Sequence, residues 1–203
     1  MNPAFSRNHF ELLGLPVGYA VDPARLEQGY RELQSQVHPD RFAASTEVEK
    51  RVSMQWATRA NEAYRTLRDP LERARYLLHL KGYDTGEETN TAMPPDFLMQ
   101  QMEWREAVAD ASRARDARGL RKLHSDINAS RAELLGLLER AIDAEANFDA
   151  GCSLVRKLRF LDKLDAEIEE ALEPLIEPSP RHLGDRAHPA SSGDLSPDEG
   201  EHR

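Results

Sequence analysis

The sequence predicts an all-α protein, and three observations support that prediction. Alanine, leucine, glutamate and arginine, which favour helices, are abundant, whereas β-branched runs are few. Apolar residues recur at three- and four-residue steps in successive segments, which is the spacing of one helix face. Two Asp-Pro pairs, Asp22-Pro23 and Asp69-Pro70, place a capping side chain and a helix-compatible proline where helices should begin.

Composition narrows the class of protein. The chain has 203 residues, room for one domain or two small ones, and its net charge of -9 argues against a nucleic-acid partner. The single cysteine, Cys152, excludes a disulfide framework or a cysteine-based metal cage within this chain and favours a reduced, cytoplasmic setting. No apolar run is long enough for a signal peptide or a membrane span, so we expect no membrane partner.

The N-terminal segment predicts a short helix followed by a helical hairpin. Asp22 should cap the first hairpin helix, and Thr46 with Glu49 forms a capping box that begins the second. After Asp69-Pro70 a shorter helix should run to Gly82. The apolar residues of the short helix and of the two hairpin stripes are Phe10, Leu12, Leu13 and Leu15; Leu26, Tyr30, Leu33 and Val37; and Val52, Trp56, Ala60, Ala63 and Leu67.

The C-terminal segment predicts an antiparallel bundle of three helices. Asp96 is a candidate cap for the first, and Gly119 and residues 147–151 should be the breaks between helices. The expected helices cover residues of about 96–117, 119–146 and 149–172. The predicted division is therefore an N-terminal domain, a linker, the bundle and a disordered tail rich in proline, serine and charge, at residues 8–82, 83–95, 96–173 and 174–203.

The first bundle helix carries apolar residues on two faces. At about 100° of rotation per residue, one stripe that contains Phe97 and Trp104 should face the core. A second group lies about 100° to 200° away from Phe97, on a side that the bundle would leave in water, and Phe160 on the last helix is similarly displaced. Large exposed apolar residues rimmed by acids indicate a partner site, although the two domains could instead pack on each other here. The group comprises Leu98, Met99 and Met102 with Glu103 and Glu106.

The tripeptide His38-Pro39-Asp40 should lie on an exposed loop between the hairpin helices, because proline stops a helix and pushes the preceding residue toward extended geometry. Phe42 in the same loop should fold back on the helices. The hairpin with this loop resembles the J-domain of DnaJ-type co-chaperones. With four further segments, it resembles the HscB (Hsc20) family of iron–sulfur assembly co-chaperones. The segments are FELLGLP (10–16), NEAYRTLRDPLERARYLL (61–78), FLMQQMEWRE (97–106) and VRKLRFLDKL (155–164).

The resemblance implies an L-shaped arrangement of J-domain and three-helix bundle, an HscA/DnaK-type chaperone as partner and an IscU-type scaffold as client. It implies that His38, Pro39 and Asp40 stimulate ATP hydrolysis by the chaperone, and that Arg25, Arg31 and Arg41 supply positive charge toward it. It also assigns scaffold binding to the residues of the exposed group, namely Leu98, Met99, Met102, Glu103, Glu106 and Phe160. Gln34, Gln36 and Val37 depart from the family pattern before the loop, and the absence of a cysteine-rich module suggests a bacterial-type form.

Two alternatives remain at this stage. The chain could be a J-domain adaptor for a different client. An enzyme fits the sequence poorly, because His38 and Asp40 have no partners with metal-ligand spacing, so we expect no catalytic residues, metal or cofactor. His9 and His79 read as structural or solvated, and Cys152 could have a lowered pKa only through its position near a helix start. The run of basic residues in 113–122 reads as a solvated helix face.

Overall fold

A computed structural model describes residues 7–38, 46–86 and 93–176, and every regular element in those ranges is helical, which confirms the all-α class. A π-helical turn, Arg140–Ala144, continues the sixth helix. Among the described residues, no helix combines the length and the apolar character needed to cross a membrane. The helices are α1 His9–Leu12, α2 Pro23–Val37, α3 Glu47–Arg68, α4 Pro70–Leu80, α5 Pro95–Arg113, α6 Ala117–Glu139 and α7 Phe148–Ile176.

The predicted caps of the N-terminal helices are confirmed. Asp22 accepts a hydrogen bond from the backbone N–H of Ala24 at the start of α2. At the start of α3 the backbone N–H of Thr46 donates to Glu49 at 2.9 Å, and the N–H of Glu49 donates back to the threonine hydroxyl. Asp69 caps α4, and Gly82, at φ +84°, ends it in the left-handed conformation that glycine tolerates.

The predicted break at Gly119 is wrong. Helix α5 ends at Arg113, and the chain turns at Arg115, whose φ is +53°. Asp116 then accepts hydrogen bonds from the N–H groups of Arg118 and Gly119 and so begins α6. A Cβ atom at position 119 would lie 2.5 Å from a carboxylate oxygen of Asp116. Glycine in the first turn of α6 therefore leaves room for the side chain that caps this helix.

Two other predicted boundaries also need correction. Asp96 lies in the first turn of α5 and does not cap it, since the N-cap position is Pro94 and no side chain caps the helix there. Helix α7 runs through Pro174 to Ile176, so residues 174–176, predicted to belong to a disordered tail, are helical. Residues 177–203 lie outside the described part of the chain.

The core of the N-terminal helices extends into the C-terminal half. Its buried side chains come from α1 to α4 and also from the end of α6, the π-helical turn and the first part of α7. Gly151 allows the close approach of α4, because a Cβ atom there would lie 3.2 Å from a methyl carbon of Leu78. We call this set the shared cluster; from the C-terminal half it contains Leu138, Ile142, Cys152, Val155 and Leu158.

A second core is confined to α5, α6 and α7. We call it the bundle cluster; it comprises Val108, Leu120, Ile127, Leu161, Leu164, Ile168 and Leu172. Helix α7 therefore supplies one cluster with its first three turns and the other with the rest. Leu164, in this latter part of α7, is 1% exposed.

The predicted stripe on α3 is right at its C-terminal end and wrong at its start. Ala60, Ala63 and Leu67 are fully buried, but Val52 is 38% exposed. The buried residue there is Ser53, whose hydroxyl donates to the carbonyl oxygen of Val37 at 2.7 Å. A hydrogen bond therefore joins the C-terminal end of α2 to the N-terminal part of α3, where few apolar side chains are buried.

Candidate partner-binding surfaces

The first candidate surface is the end of the α2–α3 hairpin. His38 occupies the C-cap position of α2, exposed and in extended geometry at φ -60° and ψ 128°, as expected for the residue before a proline. Pro39, Asp40, Arg41 and Phe42 lie outside the described residues, so their predicted roles stay predictions. The bond from Ser53 to Val37 fixes the backbone one residue before the imidazole.

The arginines of α2 do not form one continuous basic patch. Arg25 and Arg31 are both exposed, but the Nε atom of Arg31 lies 2.9 Å from a carboxylate oxygen of Glu27. The hydroxyl of Tyr64 donates to the other oxygen, and these two partners hold the pKa of Glu27 below its usual value. A seven-residue step places Arg31 on the same side as His38, whereas Arg25 is turned about 120° from Arg31.

The second candidate surface, the α5 patch, comprises Leu98, Met99 and Met102 with Glu103 and Glu106. The three apolar side chains are 42%, 64% and 72% exposed, and both glutamates are exposed. On the opposite face of the same helix, Phe97 and Val108 are buried. The separation into two faces that the helical rotation predicts is therefore confirmed. Among the residues that the structure describes, the two halves pack on each other through the shared cluster and not at this patch, whose apolar side chains are exposed.

Phe160 differs from the residues of the α5 patch because it is partly buried. Its ring stacks on Trp104, with centroids 6.4 Å apart, and meets the edge of Phe97 at 5.9 Å. The guanidinium of Arg105 lies over Phe160 at 5.4 Å, and the ammonium of Lys157 lies over Phe97 at 5.0 Å. This aromatic cluster joins α5 to α7 and has a cation on each of two rings.

Sequence reasoning missed both cations of the aromatic cluster. Lys157 precedes Phe160 by three residues on α7, so their common face could have been found from helical spacing. Nothing local in the sequence predicts that Arg105 would cross to a ring on another helix. Trp104, expected on the core face, is partly buried; it packs against the bundle cluster and also forms part of this aromatic cluster.

The cysteine and the two histidines that were considered singly, Cys152, His9 and His79, do not belong to either candidate surface. Burial, with a smaller effect of Asp149, raises the pKa of the Cys152 thiol, so the lowered pKa considered from its position is wrong. His9 stacks on Tyr76 with ring centroids 4.2 Å apart, and burial lowers the pKa of its imidazole. His79 is exposed on α4.

Comparisons with known proteins agree with this architecture. The family described as "HSCB C-terminal oligomerisation domain" matches residues 93–169. A protein named "Co-chaperone protein HscB homolog" from Aromatoleum aromaticum is 51% identical over 175 residues, which cover 86% of this chain and 99% of that protein. One of the same name from Burkholderia thailandensis is 52% identical over 168 residues, 83% of this chain and 95% of that protein.

Solved structures give the same result. The structure titled "Chaperone HscB from Vibrio cholerae" is 35% identical in sequence with a TM-score of 0.73, over 84% of this chain and all of that one. The structure of a human co-chaperone named HscB is 30% identical with a TM-score of 0.78, over 83% of this chain and 84% of the human one.

Proposed function

The chain belongs to the HscB family of co-chaperones, and from this premise we propose that it is a cytoplasmic adaptor for iron–sulfur cluster assembly. It stimulates the ATPase of an HscA/DnaK-type chaperone and delivers an IscU-type scaffold protein to that chaperone. The chain performs no catalysis of its own in this proposal; residues 8–82 act as the J-domain and residues 96–173 as the scaffold-binding bundle.

The observation that supports this proposal best is the α5 patch. Three large apolar side chains beside two exposed glutamates form a surface that favours burial against a partner. Methionine adapts its shape to a partner because its side chain is unbranched and polarizable. The aromatic cluster behind the patch braces α5 on α7, so binding need not order the helix first. We assign scaffold binding to Leu98, Met99, Met102, Glu103, Glu106 and Phe160.

We assign chaperone stimulation to the hairpin end, through His38, Pro39 and Asp40. These residues act on the chaperone's conformational equilibrium, which requires that they bind one of its states more tightly than the other. Arg25, Arg31 and Arg41 contribute charge that speeds the encounter and fixes its register. Because Arg31 already pairs with Glu27, its removal should matter less than removal of His38.

Delivery then follows from holding two partners on one chain. The scaffold bound at the α5 patch meets the chaperone in a nearly intramolecular encounter, at an effective concentration of roughly millimolar if the geometry permits. The shared cluster packs α4 of the J-domain against α7, which limits the freedom of one surface relative to the other. ATP hydrolysis closes the chaperone on the scaffold, and transfer of the cluster follows.

The test measures the ATPase turnover of an HscA-type chaperone with this protein and an IscU-type scaffold, separately and together. His38→Gln should abolish stimulation and leave scaffold binding, measured by calorimetry, unchanged. The triple variant Leu98→Ala/Met99→Ala/Met102→Ala should weaken scaffold binding by about 1–2 kcal/mol per residue and remove the scaffold's contribution to turnover.

A matched control is available in two exposed apolar residues elsewhere. Met54 is 54% exposed on α3 and Leu137 is 46% exposed on α6. Met54→Ala/Leu137→Ala should leave scaffold binding as it is. If the patch variant and this control behave alike, the α5 patch is not the scaffold site. Stimulation that ignores both scaffold and patch would instead favour the second candidate, a J-domain adaptor for a different client.

A further inference from the structure

A histidine and two carboxylates meet across the seam between α6 and α7, at the far end of the bundle from the shared cluster. His124 lies on α6, and Asp165 and Glu169 lie one turn apart on α7. Each can offer one ligand atom, and these atoms all lie within 4.8 Å of one another. The His124 side chain is 35% exposed and that of Asp165 is 14% exposed, so the group lies at the edge of the bundle cluster.

Two buried polar atoms of this group make no hydrogen bond to the described residues. The Nδ1 atom of His124 and an Oδ1 atom of Asp165 lie 2.9 Å apart. Both are hidden from solvent and lie within ion-pair distance of each other, yet neither makes a hydrogen bond within the described residues. Buried polar atoms without a partner are costly, and each such atom calls for an explanation.

We propose that His124, Asp165 and Glu169 form a binding site for a divalent transition-metal ion of the zinc class. Zinc takes histidine nitrogen and carboxylate oxygen at about 2.0–2.2 Å, which places neighbouring ligand atoms about 3.0–3.5 Å apart. The pair on His124 and Asp165 is already close to that spacing. Glu169 is exposed on the next turn, so rotation of its side chain can complete a set of three ligands, with water in the remaining position.

The surrounding charges favour a cation in spite of two nearby arginines. Arg131 binds Asp162 and lies 3.8 Å from the other carboxylate oxygen of Asp165, which leaves Oδ1 directed at the imidazole. Arg131 therefore orients the aspartate, as supporting residues do around metal ligands. The cleft beside the site is lined by Arg121 but also by the acidic residues Glu169, Glu170 and Glu173.

A metal ion here would link α6 to α7 beside buried Ile168. An ion that binds only the folded state stabilises it by an amount that rises with the ratio of free-ion concentration to dissociation constant. The site would therefore be structural, and its function does not depend on the proposed scaffold or chaperone. The metal site also predicts a property that a direct contact between His124 and Asp165 alone does not, namely stability that rises with the zinc concentration.

The experiment titrates ZnCl₂ into the metal-free full chain by calorimetry and repeats the titration with CoCl₂ by visible absorption. One ion should bind per chain, and its saturation should raise the melting temperature. His124→Gln and Glu169→Gln should each weaken binding by at least about tenfold and remove the zinc-dependent rise in melting temperature. Glu169 is exposed, so its variant should fold as the parent does.

Two controls separate this site from other histidines. The chain also contains His182, His188 and His202, so a triple His→Ala variant at these positions should retain the one-to-one site. His79→Gln, at an exposed position on α4, should also retain it. The proposal is overturned if zinc does not bind with one-to-one saturation, if His124→Gln binds as tightly as the parent, or if the triple variant loses the binding.

Discussion

Leu158 and Leu161 lie one turn apart on α7, both are at most 1% exposed, and yet they belong to different cores. Leu158 belongs to the shared cluster, with side chains from α1 to α4, whereas Leu161 belongs to the bundle cluster of α5 to α7. The segment between α4 and α5 thus separates the two groups of helices along the sequence, but a single core contains side chains from both groups. A J-domain that completes its core on the helix of another domain cannot swing freely from it.

This difference bears on how the two candidate surfaces are held. The helix that carries the α5 patch rests on the bundle cluster through Val108 and Trp104, and the hairpin end belongs to helices that pack into the shared cluster. Helices α6 and α7 both contribute to the two cores, α6 through Leu138 in the shared cluster and Ile127 in the bundle cluster. A disturbance in either core should therefore remain local unless it shifts α6 or α7, and variants in the two clusters can separate these cases.

The largest expected effect comes from removing a buried leucine in each cluster. Leu158→Ala and Leu164→Ala each delete a side chain that is 1% exposed, and each should lower the free energy of unfolding by about 2–5 kcal/mol. Hydrogen exchange should then show loss of protection in α4 for Leu158→Ala and in α5 for Leu164→Ala. The same exchange pattern in both variants would mean that the two clusters act as one cooperative core.

A smaller effect is expected at a polar contact between the halves. Asp143, in the π-helical turn, accepts hydrogen bonds from the N–H groups of Tyr19 and Ala20, both at 2.8 Å. Because Asp143 is exposed, Asp143→Ala should cost about 1 kcal/mol of unfolding free energy. Hydrogen exchange should increase at Tyr19 and Ala20.

Asp126→Ala is a matched control for Asp143→Ala, since Asp126 is an exposed aspartate on α6 and lacks such a contact in the described chain. It should leave the stability unchanged or slightly higher, because alanine is the better helix former. Equal losses in the two variants would show that the contact with the N-terminal loop contributes nothing. The π-helical turn would then have no measurable role in joining the halves, although such turns often mark functional positions.

The stability of the hairpin end should depend on one hydrogen bond more than on buried apolar side chains. Ser53→Ala removes the donor to the carbonyl oxygen of Val37 and should cost about 1 kcal/mol, seen in chemical denaturation. Ser130→Ala, which removes a hydroxyl bonded within its own helix α6, is the control and should cost less. If Ser53→Ala also lowers chaperone stimulation while scaffold binding is kept, the position of His38 depends on this bond.

Sequence reasoning succeeded where the deciding interactions are local. The caps at Asp22, Thr46 and Asp69 depend on residues two or three positions away, and the two faces of α5 follow from helical rotation alone. It failed at Gly119, because a glycine inside a helix and a glycine after one look alike until the position of Asp116 is known. Pro174 misled in the same way, since proline lowers the tendency to continue a helix without forbidding it.

Contacts between elements that are distant in the chain could not be predicted from the sequence. Ser53 is buried in place of Val52 because α3 meets the end of α2 there, and polarity alone predicts the opposite. The partly buried state of Phe160 depends on Trp104 and Arg105 from another helix. The contact of Asp143 with Tyr19 spans 124 residues, so no periodicity could reveal it.

The smallest expected effect is a pH dependence at the edge of the shared cluster. Burial of His9, aided by Arg59 and opposed by Glu62, lowers the pKa of its imidazole below the ordinary value of about 6.5. As the pH falls below 6.5, the unfolded chain therefore binds this proton first, and the free energy of unfolding decreases until the folded-state pKa is passed. His9→Phe keeps a ring for stacking and cannot titrate, so its stability should fall less between pH 7.5 and 5.5 than that of the parent. His79→Phe, exposed on α4, should follow the parent. His9 stacks on Tyr76, which packs against the shared cluster. As the pH falls, protection from hydrogen exchange should therefore decrease in α1 and α4 and stay unchanged in α5. If the stability of His9→Phe changes with pH as steeply as that of the parent, burial of this imidazole does not affect folding.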